Sequence, residues 1–186
     1  MKKVLIFEGI AATGKTTLEN SLISARPSEE VGFVSEAETL MPLIDNKNCD
    51  VAVAHLEKLL ERIAGSPQDA VIIDRFHLTH AFRTNSSIDR FSKIESLLLN
   101  YDTKMVLLVV DEKKLESRIK DADSRRGDAW GQGKKGSIEE RVAYYSRQQK
   151  KLVRLAASSK LKVVTIDTTQ QRWDDYTDQL LAELFT

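Results

Sequence analysis

The sequence has little cysteine and histidine, no net charge and no long apolar segment, and each of these absences excludes a class of function. The single cysteine, Cys49, excludes an internal disulfide, and together with three scattered histidines it offers no zinc cluster. Lys and Arg number 28, as do Asp and Glu, so the formal net charge is zero. That balance argues against a protein that binds nucleic acid mainly through bulk positive charge.

Targeting and linker segments are also missing from the sequence. The apolar residues that follow Met1-Lys2-Lys3 end at Glu8, which is too early for a secretion signal. No segment is long and apolar enough to span a bilayer, and we find no linker, repeat or low-complexity tract. A chain of 186 residues suits one domain with a sizeable core. The sequence therefore predicts one domain over residues 1–186, soluble and cytoplasmic.

The strongest motif lies near the amino terminus, where Gly9-Ile10-Ala11-Ala12-Thr13-Gly14-Lys15-Thr16-Thr17 follows the apolar run Val4–Phe7. It matches the phosphate-binding pattern G-x-x-x-x-G-K-[ST] between a predicted strand and a predicted helix. The glycines let backbone N–H groups point at phosphate oxygens, and the N-terminus of the helix attracts anions. We expect Lys15 to contact the β- and γ-phosphates and the Thr16 hydroxyl to bind Mg²⁺.

The rest of the chain alternates between apolar runs and helical periods. Such continuous apolar strands are typical of a parallel sheet with helices on both faces. The further predicted strands are Val31–Val34, Ala70–Ile73, Lys104–Val110 and Leu161–Asp167. The predicted helices are Thr16–Ala25, Val51–Ala64, Ile88–Leu99, Leu115–Lys120, a long helix that opens with a capping box at Ser137, and a closing helix with Trp173, Tyr176 and Leu184.

Charged residues follow several of these strands, at the sheet edge where parallel α/β proteins bind ligands. Asp74 is placed to hold Mg²⁺ through water, and Arg75 to hold a phosphate or to order the aspartate. Glu36 is a candidate base or metal-shell ligand, with a solvated loop carboxylate as the alternative. Asp111-Glu112 competes with Asp74 for the place near the metal. We favour Asp74 because Asp111-Glu112 also suits a helix start.

A segment rich in arginine and glycine, approximately residues 118–137, is predicted to be a lid over the nucleotide phosphates. The phosphate loop has no arginine between Gly9 and Gly14, so an arginine that stabilises charge on the transferred phosphoryl group must come from elsewhere. The nearest candidates are Arg118, Arg125 and Arg126. An ordinary solvated basic loop is the alternative interpretation.

Together these motifs resemble the thymidylate kinase and deoxynucleoside kinase group. The resemblance rests on Phe7–Thr17, Asp74–Thr79 with Ala81-Phe82, Arg118–Arg126 and Ile166-Asp167-Thr168. It implies an α/β fold, a three-layer α/β/α P-loop NTPase with a five-stranded parallel sheet and an arginine-containing lid. It also implies phosphoryl transfer from ATP, with Mg²⁺, to a nucleoside or nucleoside monophosphate.

The resemblance further implies roles for individual residues. Asp74 would lie near the metal and the acceptor, Arg75 would contact the acceptor or its phosphate, and Glu36 would match the base of deoxynucleoside kinases. The residues implied in transfer are Lys15, Asp74, Arg75, Glu36, Arg125 and Arg126, and those implied in binding nucleotide or metal are Gly9, Ala12, Thr13, Gly14, Lys15, Thr16, Thr17, Asp74, Arg118 and Thr168.

The acceptor stays open at this stage. Arg83 stands where thymidylate kinases usually carry a glutamine, and Ala37 follows Glu36 where the family has proline. The acceptor is therefore a nucleoside, a nucleotide or another small hydroxyl compound. We also allow for a homodimer, and we expect neither nucleic acid nor a membrane as a partner.

Two other functions remain: a P-loop ATPase or switch that acts on a protein through Asp111 and Glu112, and a nucleotide-binding protein without turnover.

Overall fold

The computed structural model describes residues 1–25, 30–126 and 136–185. Five strands form the sheet: β1 (Lys3–Gly9), β2 (Val31–Val34), β3 (Ala70–Asp74), β4 (Asp102–Val109) and β5 (Lys162–Asp167). The α-helices are α1 (Lys15–Ser24), α2 (Glu36–Thr39), α3 (Cys49–Gly65), α4 (His77–Arg83), α5 (Ser92–Leu98), α6 (Leu115–Arg126), α7 (Ile138–Ala157) and α8 (Trp173–Phe185). Short 3₁₀ turns cover Met41–Leu43, Ile88–Phe91 and Glu112–Lys114. Of the predicted lid, residues 127–135 and the side chain of Arg126 lie outside the described part.

The five strands form one parallel sheet in the order β2-β3-β1-β4-β5. The central strand β1 pairs with β3, where Phe7 is opposite Asp74, and with β4, where Gly9 is opposite Leu108. The carboxyl ends of β1 and β3 are therefore neighbours, and the phosphate loop begins beside the Asp74-Arg75 turn. The predicted five-stranded parallel sheet is confirmed.

Helices cover both faces of the sheet. Side chains alternate across a strand, so Val4 and Ile6 of β1 pack into one apolar cluster and Leu5 and Phe7 into another. The first cluster includes residues of α3, α4, α5 and α7, and the second includes residues of α1 and α8. Because helices cover both faces of the sheet, the strands appear in the sequence as largely apolar runs. The same arrangement confirms the predicted three-layer architecture.

Local capping explains where two of the helices begin. At α7 the predicted capping box is present, since Ser137 Oγ accepts from Glu140 N and Glu140 Oε2 accepts from Ser137 N at 2.7 Å. A second capping box, between Ser35 and Glu38, opens the short helix α2, so Glu36 starts a helix instead of lying in a loop. Among the described residues, none of the helices has the length and apolar character needed to cross a membrane.

A buried ionisable pair joins α4 to α5. His77 Nε2 lies 3.5 Å from Glu95 Oε1, and both side chains are at most 2% exposed. Glu95 also accepts hydrogen bonds from Ser159 Oγ and Lys160 N, in the turn before β5. Burial alone would raise the pKa of Glu95, but these hydrogen bonds and His77 lower it below its ordinary value of 4.5.

We expect Glu95→Gln to reduce the free energy of unfolding at pH 7 by about 1 to 3 kcal/mol. The pKa of Glu95 is lower in the folded state, so its ionised form stabilises the fold above its unfolded pKa, and that contribution disappears as the pH falls through the folded pKa. Urea unfolding at pH 7 and below pH 4.5 should therefore show a smaller difference in acid. A difference that is constant with pH would contradict the assignment; Glu116→Gln, on the exposed face of α6, is the control.

Candidate active site

The loop after β1 has a backbone that mostly requires glycine. Gly9 and Gly14 have φ of 145° and 90°, and Ala12 between them is also left-handed at 67°. A Cβ on Gly9 would lie 2.7 Å from Leu108 O, and one on Gly14 would lie 2.2 Å from the Trp173 ring. Gly14 is the N-cap of the ten-residue helix α1, so the loop surrounds a helix N-terminus, which is a favourable place for phosphate.

Lys15 is buried inside this loop. Its Nζ donates to Gly9 O at 3.3 Å and to Ile10 O at 3.2 Å. The ammonium group is therefore hydrogen-bonded to carbonyl oxygens of the loop itself. Burial and, to a smaller extent, the charge of Arg75 lower the pKa of Lys15 to about 8, although the nearby carboxylates oppose the shift. A cation with few partners and a lowered pKa gains strongly from phosphate oxygens that take the place of the carbonyls.

Arg118 of α6 connects the loop to the end of β5. Its Nη2 donates to Ala12 O at 2.9 Å and its Nη1 to Thr168 O at 3.0 Å. The guanidinium carbon lies 5.5 Å from the centre of the Trp173 ring, within the range of a cation–π contact. Trp173 in turn lies against Gly14, so one arginine and one tryptophan hold the outer side of the phosphate loop.

Arg75 connects the same loop to the end of β3. It is left-handed, with φ of 59°, a conformation rarely adopted by long side chains. Its backbone N–H donates to Phe7 O, and its Nη1 donates to Gly9 O at 2.8 Å. Its Nε lies 3.0 Å from Glu36 Oε1, an ion pair without the angle of a hydrogen bond. The strained turn thus directs one guanidinium to both the phosphate loop and Glu36.

Two buried hydrogen-bonding groups fix the backbone around Asp74. Thr39 Oγ1 donates to Asp74 O at 2.7 Å, which attaches α2 to β3. Glu8, which is fully buried, accepts through Oε1 from the backbone N–H groups of Phe76, Leu78 and Thr79 at 2.9 to 3.2 Å. The carboxylate therefore caps α4 from the central strand and holds the segment after Asp74-Arg75 in place.

Asp74 lines the cleft, and one of its carboxylate oxygens is buried. The residue is 7% exposed, and its Oδ1 has no hydrogen-bond partner. Burial raises the pKa of Asp74, Lys15 and Arg75 counteract that shift, and Glu36 and Glu8 add to it. The Asp74 carboxylate and the exposed Thr16 hydroxyl, on residues that both line the cleft, are oxygen donors of the kind that Mg²⁺ prefers. The residues present therefore fit a magnesium ion bound with a nucleotide.

A cleft of ≈ 260 Å³ brings most of the predicted residues together. Its lining includes Ala12, Gly14, Lys15, Thr16, Thr17, Glu36, Asp74, Arg75, Arg118 and Arg125. Among the predicted residues whose side chains the structure describes, three do not line it: Gly9 ends β1, Thr13 is buried with its hydroxyl on Ile10 O, and Thr168 is buried with its hydroxyl on Val109 O.

The competing acidic pair lies elsewhere. Asp111 accepts from Lys113 N at 2.9 Å, so it caps the 3₁₀ turn at Glu112–Lys114 as a helix start would. Glu112 pairs with Lys150 of α7 at 2.8 Å and accepts from Ser146. Neither residue lines the cleft. The geometry therefore favours Asp74 over Asp111 for the place near the metal.

Three residues of the site were not identified from the sequence. Glu8 follows four apolar residues in β1, and Glu19 lies on the apolar side of α1, 1% exposed; a lone carboxylate in an apolar pattern was the available signal for both. Trp173, which the sequence places in the closing helix, packs on Tyr176 but also lines the cleft. No sequence pattern distinguishes a packed tryptophan from one at a site.

Comparison with solved structures finds the same architecture in other proteins, several of them kinases. The YorR protein from Bacillus subtilis, solved in complex with phosphorylated GDP, matches with a TM-score of 0.72 and 18% identity over 97% of this chain and 94% of that one. Thymidylate kinase from Candida albicans matches with a TM-score of 0.57 and 16% identity, over 98% and 90% of the two chains. Deoxyadenosine kinase from M. mycoides with bound dATP matches with a TM-score of 0.58 and 15% identity, over 99% and 100%.

Comparisons of sequence alone identify no relative of this chain. No protein-family model matches the chain, and no curated protein matches it in sequence. The likeness therefore lies in the fold, at identities where sequence similarity is weak. At that level it confirms the resemblance that the motifs predict: this chain has the fold of the P-loop nucleoside and nucleotide kinases.

Proposed function

We propose that this protein is a P-loop kinase that transfers the terminal phosphoryl group of ATP, with Mg²⁺, to a hydroxyl group of a small molecule, a nucleoside or a nucleotide. The proposal rests on one observation above all. Lys15, Asp74, Arg75 and Glu36 come from three separate strand ends and line the same cleft. A phosphate loop alone would fit any nucleotide-binding protein, but a carboxylate and an arginine beside it fit a transfer reaction.

Each residue has a definite task in this reaction. The loop N–H groups and Lys15 bind the phosphates, while Thr16 and Asp74 would hold Mg²⁺, which neutralises charge on the phosphate oxygens. Arg125, which lines the cleft from α6, would stabilise the transferred group. Glu36, with a side chain that is 41% exposed, accepts the proton of the attacking hydroxyl. Most of the catalysis is then positioning and charge stabilisation.

The cations on the acceptor side favour an uncharged hydroxyl group over a phosphate as the acceptor. Arg75 is engaged with Glu36 and with Gly9 O. Arg83 donates through Nη2 to the carbonyl oxygens of Leu43 and Ile44 and does not line the cleft. The Glu36 carboxylate would repel a phosphate group, whereas it could accept the proton of a hydroxyl group. A nucleoside is therefore our first choice, and a nucleoside monophosphate the second.

The carboxylate variants separate this proposal from an ATPase that uses Asp111. We expect Asp74→Asn to lower kcat for transfer by about a hundredfold or more, because a neutral amide binds Mg²⁺ more weakly. Asp111→Asn should leave transfer unchanged, since Asp111 caps a turn outside the cleft. The measurement is coupled ADP release with MgATP across nucleosides, nucleoside monophosphates and other hydroxyl compounds.

Stimulation by one acceptor class that depends on Asp74 would establish the kinase and identify its substrate class. Full activity of Asp74→Asn would refute the assigned site. Slow ATP hydrolysis that no acceptor stimulates and that Asp111→Asn abolishes would favour the ATPase instead. A small-molecule acceptor, and not a nucleic acid or membrane, is the partner we propose, together with a cytoplasmic location.

A further inference from the structure

The short helix α2, which carries Glu36, has little apolar packing to hold it in place. Of its four residues, all of them described, only Thr39 is buried. A helix of this length is not stable by itself in water, so contacts with the rest of the protein must keep it formed. The position of the Glu36 carboxylate in the cleft therefore depends on what binds to α2.

Two histidines from neighbouring helices bind the C-terminal end of α2. His55 Nε2, from α3, lies 2.8 Å from Glu38 O. His80 Nε2, from α4, lies 2.9 Å from Thr39 O. A carbonyl oxygen can only accept a hydrogen bond, so each ring donates through Nε2. The last carbonyl groups of a helix have no partner within the helix, and the two imidazoles supply the missing donors.

His80 connects this end of α2 to the strand that carries Asp74. It is 2% exposed and lies on α4, which begins two residues after Arg75. Thr39, whose carbonyl group accepts from His80, also donates through Oγ1 to Asp74 O at 2.7 Å. One buried residue of α2 is thus held at its carbonyl group by α4 and at its hydroxyl group by β3. These directional contacts fix α2 relative to the Asp74-Arg75 turn.

We propose that His55 and His80 are positioning residues for Glu36: the hydrogen bonds that they donate to α2 keep the Glu36 carboxylate in the cleft, beside Arg75. This inference rests on the proposed function, in which Glu36 accepts the proton of the attacking hydroxyl group. Neither histidine lines the cleft, so each acts through Glu36. A displacement of about 1 Å can lower a rate by about a hundredfold, so a loosened α2 would lower kcat.

A double-mutant cycle between His80 and Glu36 tests the proposal. His80→Leu removes the donor, His80→Gln keeps an N–H donor of similar reach, and Glu36→Gln removes the base. The fourth variant combines His80→Leu with Glu36→Gln. For each variant we would measure the melting temperature, ADP affinity by calorimetry, and the kcat and KM of transfer well below the melting temperature. His55→Leu, at a half-buried position where water can replace the donor, takes the place of His80→Leu if that variant does not fold.

The expected result distinguishes positioning from a purely structural role. His80→Leu lowers kcat by about tenfold or more without changing ADP affinity, and His80→Gln restores most of the loss. In the Glu36→Gln background the same substitution changes kcat by less than about twofold, because the group that it positions is already gone. A structural role would lower kcat by the same factor in both backgrounds. That result, full activity of His80→Leu, or no recovery in His80→Gln would each overturn the proposal.

Hydrogen exchange separates a failure of this proposal from a failure of the proposed function. The N–H groups of Thr39 and Leu40 donate to Ser35 O and Glu36 O, so their exchange reports whether α2 stays formed. We expect faster exchange of these two amides in His80→Leu and wild-type exchange in His80→Gln, with α1 unchanged in both. If no acceptor is phosphorylated, the proposed function fails, while faster exchange still supports the hold of the histidine on α2. Wild-type exchange in His80→Leu would overturn that hold.

Discussion

Replacing Lys15 by alanine is expected to lower the rate of phosphoryl transfer by about a hundred- to a thousandfold. The ammonium is the charge at the centre of the phosphate loop, and its hydrogen-bond acceptors among the described residues are the carbonyl oxygens of Gly9 and Ile10. Coupled ADP release at saturating MgATP measures the loss. The free energy of unfolding should change by no more than about 1 kcal/mol, because the lowered pKa of Lys15 shows that its burial is already unfavourable.

The matched control is Lys58→Ala, which removes an exposed lysine from α3. It should leave both the transfer rate and the unfolding midpoint unchanged. If Lys15→Ala kept more than a tenth of the wild-type rate, the loop would not hold the phosphates of the donor. If it lost activity only together with several kcal/mol of stability, the lysine would be a structural part of the loop.

Replacing Glu8 by alanine is expected to have the largest effect on stability, a loss of about 3 to 5 kcal/mol. The carboxylate is completely buried and accepts three backbone N–H groups through Oε1 and the Thr79 hydroxyl through Oε2, at 2.5 Å. Without it, these donors at the start of α4 have neither an acceptor nor water. Urea unfolding followed by circular dichroism measures the difference.

Glu8→Gln is the matched control for this substitution. Its carbonyl oxygen can still accept the backbone N–H groups, and the Thr79 hydroxyl can rotate to accept from the amide, so most of the hydrogen bonds survive. We expect this variant to lose clearly less stability than Glu8→Ala. Equal losses would mean that charge, and not the capping hydrogen bonds, is what holds α4 on the central strand.

The fold was largely predictable because its signals are local. Each strand is a continuous apolar run, and the phosphate loop, with its two glycines, marks the exit of the central strand. The helix over Ile88–Leu99 was predicted as one piece, but it is a 3₁₀ turn followed by α5. The short helix α2 was not predicted, since four residues give no periodicity and only the Ser35–Glu38 capping box indicates it.

The candidate site was less predictable because its geometry depends on contacts between distant strands. The order of strands puts Asp74 beside the loop, and the place of Glu36 follows from the end of β2. That Arg75 is left-handed and bridges Gly9 and Glu36 depends on the Phe7 carbonyl across the sheet, which no sequence spacing reveals.

The bridge formed by Arg75 has a consequence for how two substrates would influence one another. One guanidinium group contacts the carbonyl of Gly9, on the donor side, and Glu36, on the acceptor side. A phosphoryl donor that shifts the carbonyl group of Gly9 would change the ion pair between Arg75 and Glu36. An acceptor that moves Glu36 would in turn change the hydrogen bond from Arg75 to the loop. Thermodynamic linkage makes these effects reciprocal, so the factor by which the donor alters acceptor affinity equals the factor by which the acceptor alters donor affinity. The two halves of the cleft are then cooperative through a single side chain.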